Sequence, residues 1–332
     1  MLMKTTCIID TYNQERFICE AIDSALSQEV LFDEILVVDD ASTDGSREIL
    51  NDRYGSNPNV KLIYRPVNGG QLACIQTGVL EATGDICCFL DGDDCFHEQY
   101  LQHVLEHYQS NPDSTCAYVT CKAFDQMVRR TFGKRGTQAT GITVGITLRG
   151  NTFVGAPTSC LSYRTDLLRE IFPYPFLDDW IIRADDYLNG VSSILGAKKT
   201  FIDRELVHYR WHDQNNSWTM YKSLASYRRR LSLNRLRFYF AQNLTLDTES
   251  LNNELHREFA TWANPSWQLL SWYLKAIFNG NQSFLRKIAQ SASLLRHKLA
   301  TVIKRGSHQA ESLKHGKLLS SYGQCEDIDK KI

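Results

Sequence analysis

Residues 84–96, GDICCFLDGDDCF, decide how the rest of the chain is read. The apolar run at 86–90 has the length of a strand buried on both faces, and it ends in three carboxylates within four positions: Asp91, Asp93 and Asp94. Like charges this close raise one another's pKa, so the arrangement persists most naturally where a divalent ion supplies the opposite charge. Oxygen-only ligands on a turn suit Mg2+ or Mn2+. Magnesium typically takes one or two protein carboxylates, some waters and the phosphate oxygens of a substrate, so the stretch implies a diphosphate-bearing partner as well as a metal. Gly92 is expected to let that partner come close to the backbone. A plain acidic turn after a strand carries the same letters, and the surrounding sequence has to separate the two.

Toward the N-terminus, strand and helix patterns alternate. Residues 6–9 form an apolar strand. Asn13 is placed to cap the helix that follows, on which Phe17, Ile18, Ala21, Ile22, Ala25 and Leu26 make one apolar stripe. A second strand at 35–38 ends at Asp39 and Asp40, before the turn sequence ASTDGS and a helix over 46–54. A third strand at 61–64 leads through Asn68, Gly69 and Gly70 into a helix with Leu72, Ile75 and Val79 on one face, which Gly84 ends. Strands separated by such helices indicate βαβ units: an α/β fold with a Rossmann-like, mostly parallel sheet flanked by helices. Ligands bind these sheets outside the carboxyl ends of the strands. Here those ends carry Thr11 and Tyr12, then Asp39 and Asp40, then the three aspartates. A dinucleotide-binding fold competes, but the first strand runs into DTYNQERF without a GxGxxG turn, and no P-loop occurs. A nucleotide diphosphate is therefore expected to be held through metal rather than through helix-end amides alone.

At 332 residues the chain can bury a large core, and its net charge of −1 implies no polyanionic partner such as nucleic acid. Its ten cysteines form no CxxC pair, and Cys7, Cys87 and Cys88 lie in apolar strand-like runs, which points to a reducing cytoplasm. The start, MLMKTTCIID, enters a strand almost at once and is not expected to act as a secretory signal. The sequence has no apolar run of the roughly 18 residues that a spanning helix needs.

With these residues in place the chain resembles the family 2 glycosyltransferases of the GT-A fold, inverting enzymes that use nucleotide-diphosphate sugars. The resemblance is carried by CIIDTYNQERFICEAIDSALSQ at 7–28, EILVVDDASTDGS at 34–46 and NGGQLACIQTGVLEATGDICCFLDGDD at 68–94. ADDYL at 184–188 and LVHYRWHDQNN at 206–216 continue it, in the family's order. The resemblance implies that Thr11, Tyr12 and Asn13 belong to the donor site, with the Tyr12 ring stacked on the base. Asp39 would accept from a base imino N–H, which favours a UDP-type or dTDP-type donor. Asp10 stands where the family usually has proline. Asn68, Gly70 and Gln71 would lie beside the ribose and diphosphate, Asp91 near ribose or metal, and Asp93 or Asp94 against the ion. A cation there stabilises the charge that gathers on the departing diphosphate.

Residues 126–154 read as a long loop with a strand or two, covering an acceptor site. The stretch FLDDWIIRADDYLNGVSSILG at 176–196 holds the candidate base that takes the acceptor's proton. Two pairs compete, Asp178 with Asp179 and Asp185 with Asp186, and the family's spacing favours the second. On a helix with Ile181, Ala184, Leu188, Val191 and Leu195 buried, Asp185 flanks the stripe and Asp186 points away, which favours Asp185. The family's Glu-Asp form, followed by an aromatic such as Tyr187, favours Asp186 instead. His212 stands where related enzymes have an active-site histidine, sometimes a metal ligand. Arg210 is expected to pair with the diphosphate or with Asp185 or Asp186.

The expected organisation is a catalytic domain over 1–217, with a nucleotide-sugar half at 1–110 and an acceptor half at 111–217. A helical region follows at 218–306 and a polar tail, read as disordered, at 307–332. Residues 221–242 and 265–305 are basic, aromatic and almost free of acids, suited to an anionic membrane surface, to the catalytic domain or to a second subunit. The expected function is a cytoplasmic, metal-dependent transferase moving a sugar from a UDP-type donor to a saccharide or polyprenyl-linked acceptor in surface-polysaccharide assembly. The competing functions are a non-catalytic nucleotide-sugar-binding subunit and a nucleotidyltransferase, the latter requiring a basic loop that DTYNQERF does not supply.

Overall fold

A computed structural model describes residues 3–123, 138–150, 153–212, 223–247 and 250–322. Four apolar runs make the parallel half of one sheet: β1 (Thr5–Thr11), β2 (Glu34–Asp39), β3 (Val60–Tyr64) and β4 (Ile86–Asp91). The helices α1 (Ile18–Leu26), α2 (Ser46–Tyr54) and α3 (Gln71–Glu81) connect them. Residues 86–90 are wholly buried, as a strand covered on both faces requires. Register sets Thr11 opposite Asp39 and Asp10 opposite Asp91, so the carboxyl ends of the central strands finish level.

The second half is mixed. It contains β5 (Cys95–Phe96), α4 (Tyr100–Ser110), β6 (Cys116–Ala123), β7 (Gln138–Ala139) and α5 (Val144–Gly150). After these come β8 (Leu161–Arg164), α6 (Thr165–Ile171), α7 (Ala184–Ile194) and β9 (Lys199–Tyr209). The sheet order is β3-β2-β1-β4-β8-β6-β9-β5, with β7 beside β9. β8 runs antiparallel to β4 but pairs only with residues 86–88, which leaves the acidic end of β4 beyond the ladder. β9 is one long strand whose middle residues Asp203, Arg204 and Glu205 face solvent at an irregular register with β6.

The region read as a loop over 126–154 contains α5, and this is a correction. Residues 124–137 and 151–152 lie outside the described part. The N-terminus of α5 is capped from far away, by the Glu258 carboxylate accepting from Gly145 N–H at 2.5 Å and Ile146 N–H at 3.0 Å. No local sequence signal announces such a cap.

The C-terminal region is helical throughout its described length: α8 (Ser223–Asn243), α9 (Leu251–Ala260), α10 (Trp267–Asn279) and α11 (Phe284–Tyr322). α8 lies on α7, while α9 and α10 pack on α5. The basic run at 265–305 breaks at Gly280 into two helices, the first capped by Ser266 Oγ accepting from Leu269 N–H at 3.0 Å. α11 continues through Gly306 into the stretch expected as a polar tail, which is rich in helix-forming Ala, Glu, Leu and Lys. Residues 323–332 lie outside the described part.

The seating of α3 on β1 has no slack. A Cβ added at Gly78 would lie 2.5 Å from Ile8 Cγ2. Gly78→Ala is expected to cost about 1–3 kcal/mol by overpacking, read as a lower urea midpoint at unchanged m-value.

Candidate active site

The donor side is built at the ends of β1 and β2. Asp39 is wholly buried; its Oδ2 accepts from Ser42 N–H at 3.1 Å and Arg47 Nε at 2.5 Å, while its Oδ1 has no hydrogen-bond partner. Thr11 Oγ1 is likewise buried without a partner, and the Tyr12 ring beside it is 45% exposed. An orphaned acceptor under an open aromatic face suits a planar base with an N–H edge. Asn13 does not cap α1, whose N-cap is Phe17. It takes the left-handed conformation at φ 54° and accepts from Thr43 N–H at 2.8 Å, so it organises the loop after β2.

Asp40 holds the next loop. Its carboxylate accepts from Gly69 N–H at 3.0 Å and Gly70 N–H at 2.6 Å and pairs with Arg65, while its carbonyl accepts from Asn68 Nδ2 at 3.2 Å. Gly70 has φ +82°, and a Cβ there would lie 2.3 Å from Ile181 Cα, so this glycine is needed by the protein's own backbone. Gly92 has a similar role: a Cβ on it would meet Asp10 O at 2.9 Å and Thr11 Oγ1 at 3.1 Å. Its bareness lets β4 close on β1, which is the contact that requires glycine.

The acidic turn gathers as expected. Asp91, Asp93 and Asp94 each offer an oxygen within 4.8 Å of the others. Burial, and then the neighbouring carboxylates, push Asp91 and Asp94 well above the usual carboxylate range. Asp10 joins them, pushed up to about 8 by burial first and Asp93 next. Asp94 is already engaged, accepting from Ser159 Oγ at 2.6 Å and Arg210 N–H at 2.8 Å, so it anchors the turn. His212 Nε2 lies 2.9 Å from Asp93 Oδ2 and reaches the cluster through that carboxylate. The set fits a hard divalent cation: oxygen donors, crowded negative charge and two carboxylates, Asp91 and Asp93, left to hold it. Arg210 takes a different place from the expected one. It donates to Asp93 O at 2.8 Å and to Glu20, and covers the Phe17 ring at 4.8 Å, which braces the turn against α1.

Gln71 links the acidic turn to α7. Its Nε2 donates to Asp91 Oδ1 at 2.9 Å and its Oε1 accepts from Ala184 N–H at 3.0 Å, tying the acidic turn to the first turn of α7. Asp185, half-buried, sits near enough to Asp91 to raise its pKa. Asp185 itself is pushed up to about 7, by burial first and then by Asp186, with Arg183 and Arg229 acting in the opposite sense. Asp186 is only 2% exposed, and both its oxygens accept from the Arg229 guanidinium, Nη2 at 2.7 Å. The expectation that Asp186 points away from the core is corrected: α8 covers that face of α7. Asp178 and Asp179 lie in a 3-10 turn at Leu177–Trp180, and Asp179 pairs with Arg235 at 3.5 Å.

Sequence reasoning missed Ser159, Glu20, Arg229 and the placement of Arg210. Each acts across more than 40 residues, where neither spacing nor periodicity gives a signal.

The family model for glycosyl transferase family 2 matches residues 6–172. An uncharacterized glycosyltransferase of Nostoc sp. is 33% identical over 219 residues, 64% of this chain and 66% of its own length. Pasteurella multocida chondroitin synthase is 33% identical over 112 residues, and the match covers 34% of this chain and 12% of the synthase. The chain thus spans only part of these relatives. The solved structure of S. aureus TarS 1–349 in complex with UDP-GlcNAc has a TM-score of 0.60 at 19% identity, covering 93% of this chain and 92% of that one. That likeness gives the fold as GT-A. The family match takes in β2, β3, β4 and nearly all of β1, the acidic turn and half of the chain, and by it this protein belongs to glycosyl transferase family 2.

Proposed function

We propose that this protein transfers a sugar, with inversion, from a uridine-type nucleotide-diphosphate donor to a saccharide hydroxyl, with Asp185 as the base and Mn2+ or Mg2+ at Asp91 and Asp93. The observation that carries this is the meeting, on one rim of the sheet, of an unpartnered Asp39 oxygen, an acidic turn and the Asp185 carboxylate. The base of the donor stacks on Tyr12 and gives its N–H to Asp39 Oδ1. A bound divalent ion supplies positive charge for the departing diphosphate. Asn68, Gly70 and Gln71 form the wall beside the ribose, with Gln71 keeping Asp91 and α7 in register. Asp185 takes the acceptor proton because its environment holds its pKa near neutrality, whereas Asp186 is spent on Arg229.

The uridine assignment draws support from TarS, solved with UDP-GlcNAc, and the saccharide acceptor from the chondroitin synthase likeness. Extending that, the acceptor is a saccharide or a polyprenyl-linked saccharide in cell-surface polysaccharide assembly. The protein works at the cytoplasmic face of the membrane. Among the described residues no helix is long and apolar enough to cross it. Residues 1–217 form the catalytic domain and 218–306 its helical extension.

Calorimetry with UDP, dTDP and GDP tests the donor site. UDP is expected to bind in Mn2+ and to weaken at least about tenfold in chelator or in Asp93→Ala, each lost contact to a charged group being worth about 1.5–3 kcal/mol. Absence of nucleotide binding in every metal condition would overturn the assignment. Asp185→Asn is expected to lower kcat by about 10^2–10^4 with UDP affinity retained. Turnover that survives this change while Asp186→Asn abolishes it would make Asp186 the base. Because the base must be deprotonated, kcat/KM is expected to fall about tenfold per pH unit below the Asp185 pKa of about 7. A profile flat from pH 5 to 8 would exclude Asp185.

A further inference from the structure

Helix α11 packs one face, with Gln290, Leu294 and Lys298 buried, against α9 and α10. Over residues 284–303 its other face is exposed among the described residues. Leu285, Ile288, Ala292, Leu295, Leu299 and Val302 recur there at steps of three and four residues, and the five larger side chains are 42–79% exposed. At 1.5 Å per residue the stripe runs about 26 Å, a contiguous apolar surface of the kind that marks an interaction site. The spacing alone suits either a second helix or a lipid surface.

Charge separates the two. Residues 265–305 hold seven Lys and Arg and no Asp or Glu, whereas the rest of the chain has 30 Lys and Arg against 38 acids. In a coiled coil of two copies, the positions flanking the stripe would offer Arg296 as an exposed ionisable group and no acid to meet it. Against an anionic bilayer the same cations are attractive, and exposed Arg286 and Arg296 lie beside the stripe. Trp267, 59% exposed, lies at its C-terminal end with the Lys298 ammonium 5.0 Å over the ring, an amphipathic side chain suited to the headgroup level.

We propose that α11 docks this protein on an anionic phospholipid bilayer, the leucine face entering the acyl boundary and the basic flanks meeting the headgroups. The surface is separate from the donor site and from Asp185, and stands whether or not those roles hold.

The test is flotation of the full-length protein with vesicles of phosphatidylglycerol and phosphatidylcholine, and of phosphatidylcholine alone. Wild type is expected to float with the anionic vesicles, weakly with the neutral ones, and less as salt rises. Leu285→Glu with Leu299→Glu is expected to cut the bound fraction at least about tenfold at unchanged melting temperature, since both side chains already face water. Should that pair misfold, Arg286→Glu with Arg296→Glu probes the headgroup contact alone. Failure of wild type to float, or equal flotation of a folded variant, overturns the proposal. A wild-type dimer in light scattering that the leucine variant makes monomeric overturns it in favour of a second copy.

Discussion

The site depends on β1 and β4 ending at the same level and in close contact. Their register sets Asp10 opposite Asp91, and Gly92 N–H donates to Asp10 O at 2.9 Å where no side chain would fit. That closure turns the acidic turn back over the end of β1, so that carboxylates from both strands share one small volume. Without a cation their crowding is costly, which is why burial and mutual repulsion both drive Asp91 and Asp94 toward the protonated form. The fold therefore holds the turn in place from behind rather than through the cluster. Ser159 and Arg210 N–H fix Asp94, His212 fixes Asp93, and Gln71 fixes Asp91.

The second constraint is the pairing of Asp186 with Arg229. A buried carboxylate left without its guanidinium would cost several kcal/mol, and the partner comes from α8, outside the stretch that the family model matches. The helical extension thus supplies the partner of a buried carboxylate on α7, next to the proposed base. By neutralising Asp186 it also limits how far the neighbouring charge raises Asp185, whose pKa stays near the range in which a carboxylate works as a base. Helix α8 is on this account part of the site rather than an appendage to it.

How much of this was legible in the sequence follows from the range of each interaction. The strands, the crossover helices and the acidic turn were readable because apolar periodicity and turn residues are local. The rule that such sheets bind ligands at their carboxyl ends placed Thr11, Tyr12 and Asp39 at one crevice, and the family resemblance supplied the donor roles proposed for them. Helix α5 was not readable, since its cap lies on α9 more than 100 residues away. Asp186 was misplaced for a related reason: a helical wheel assumes that one face is wet, and α7 is covered on both. Gly92 was expected to admit a ligand to the backbone, and the fold gives it a further reason to be bare, since its nearest neighbour is Asp10 O, as that of Gly70 is Ile181 Cα.

Asp10 is where these threads meet. It stands where the family usually has proline, and it adds a carboxylate directly under the acidic turn, with Oδ1 buried and without a partner. A proline there would remove this charge altogether. With aspartate, burial and the facing Asp93 push the group up to about 8, while Arg47, Arg65 and Arg210 are engaged by Asp39, Asp40 and Glu20. A cation arriving at the turn would favour the ionised form of Asp10 and Asp91, which burial and crowding otherwise disfavour. On the proposed reading, Asp10 therefore adds one more carboxylate whose ionisation depends on the metal that the donor's diphosphate would share.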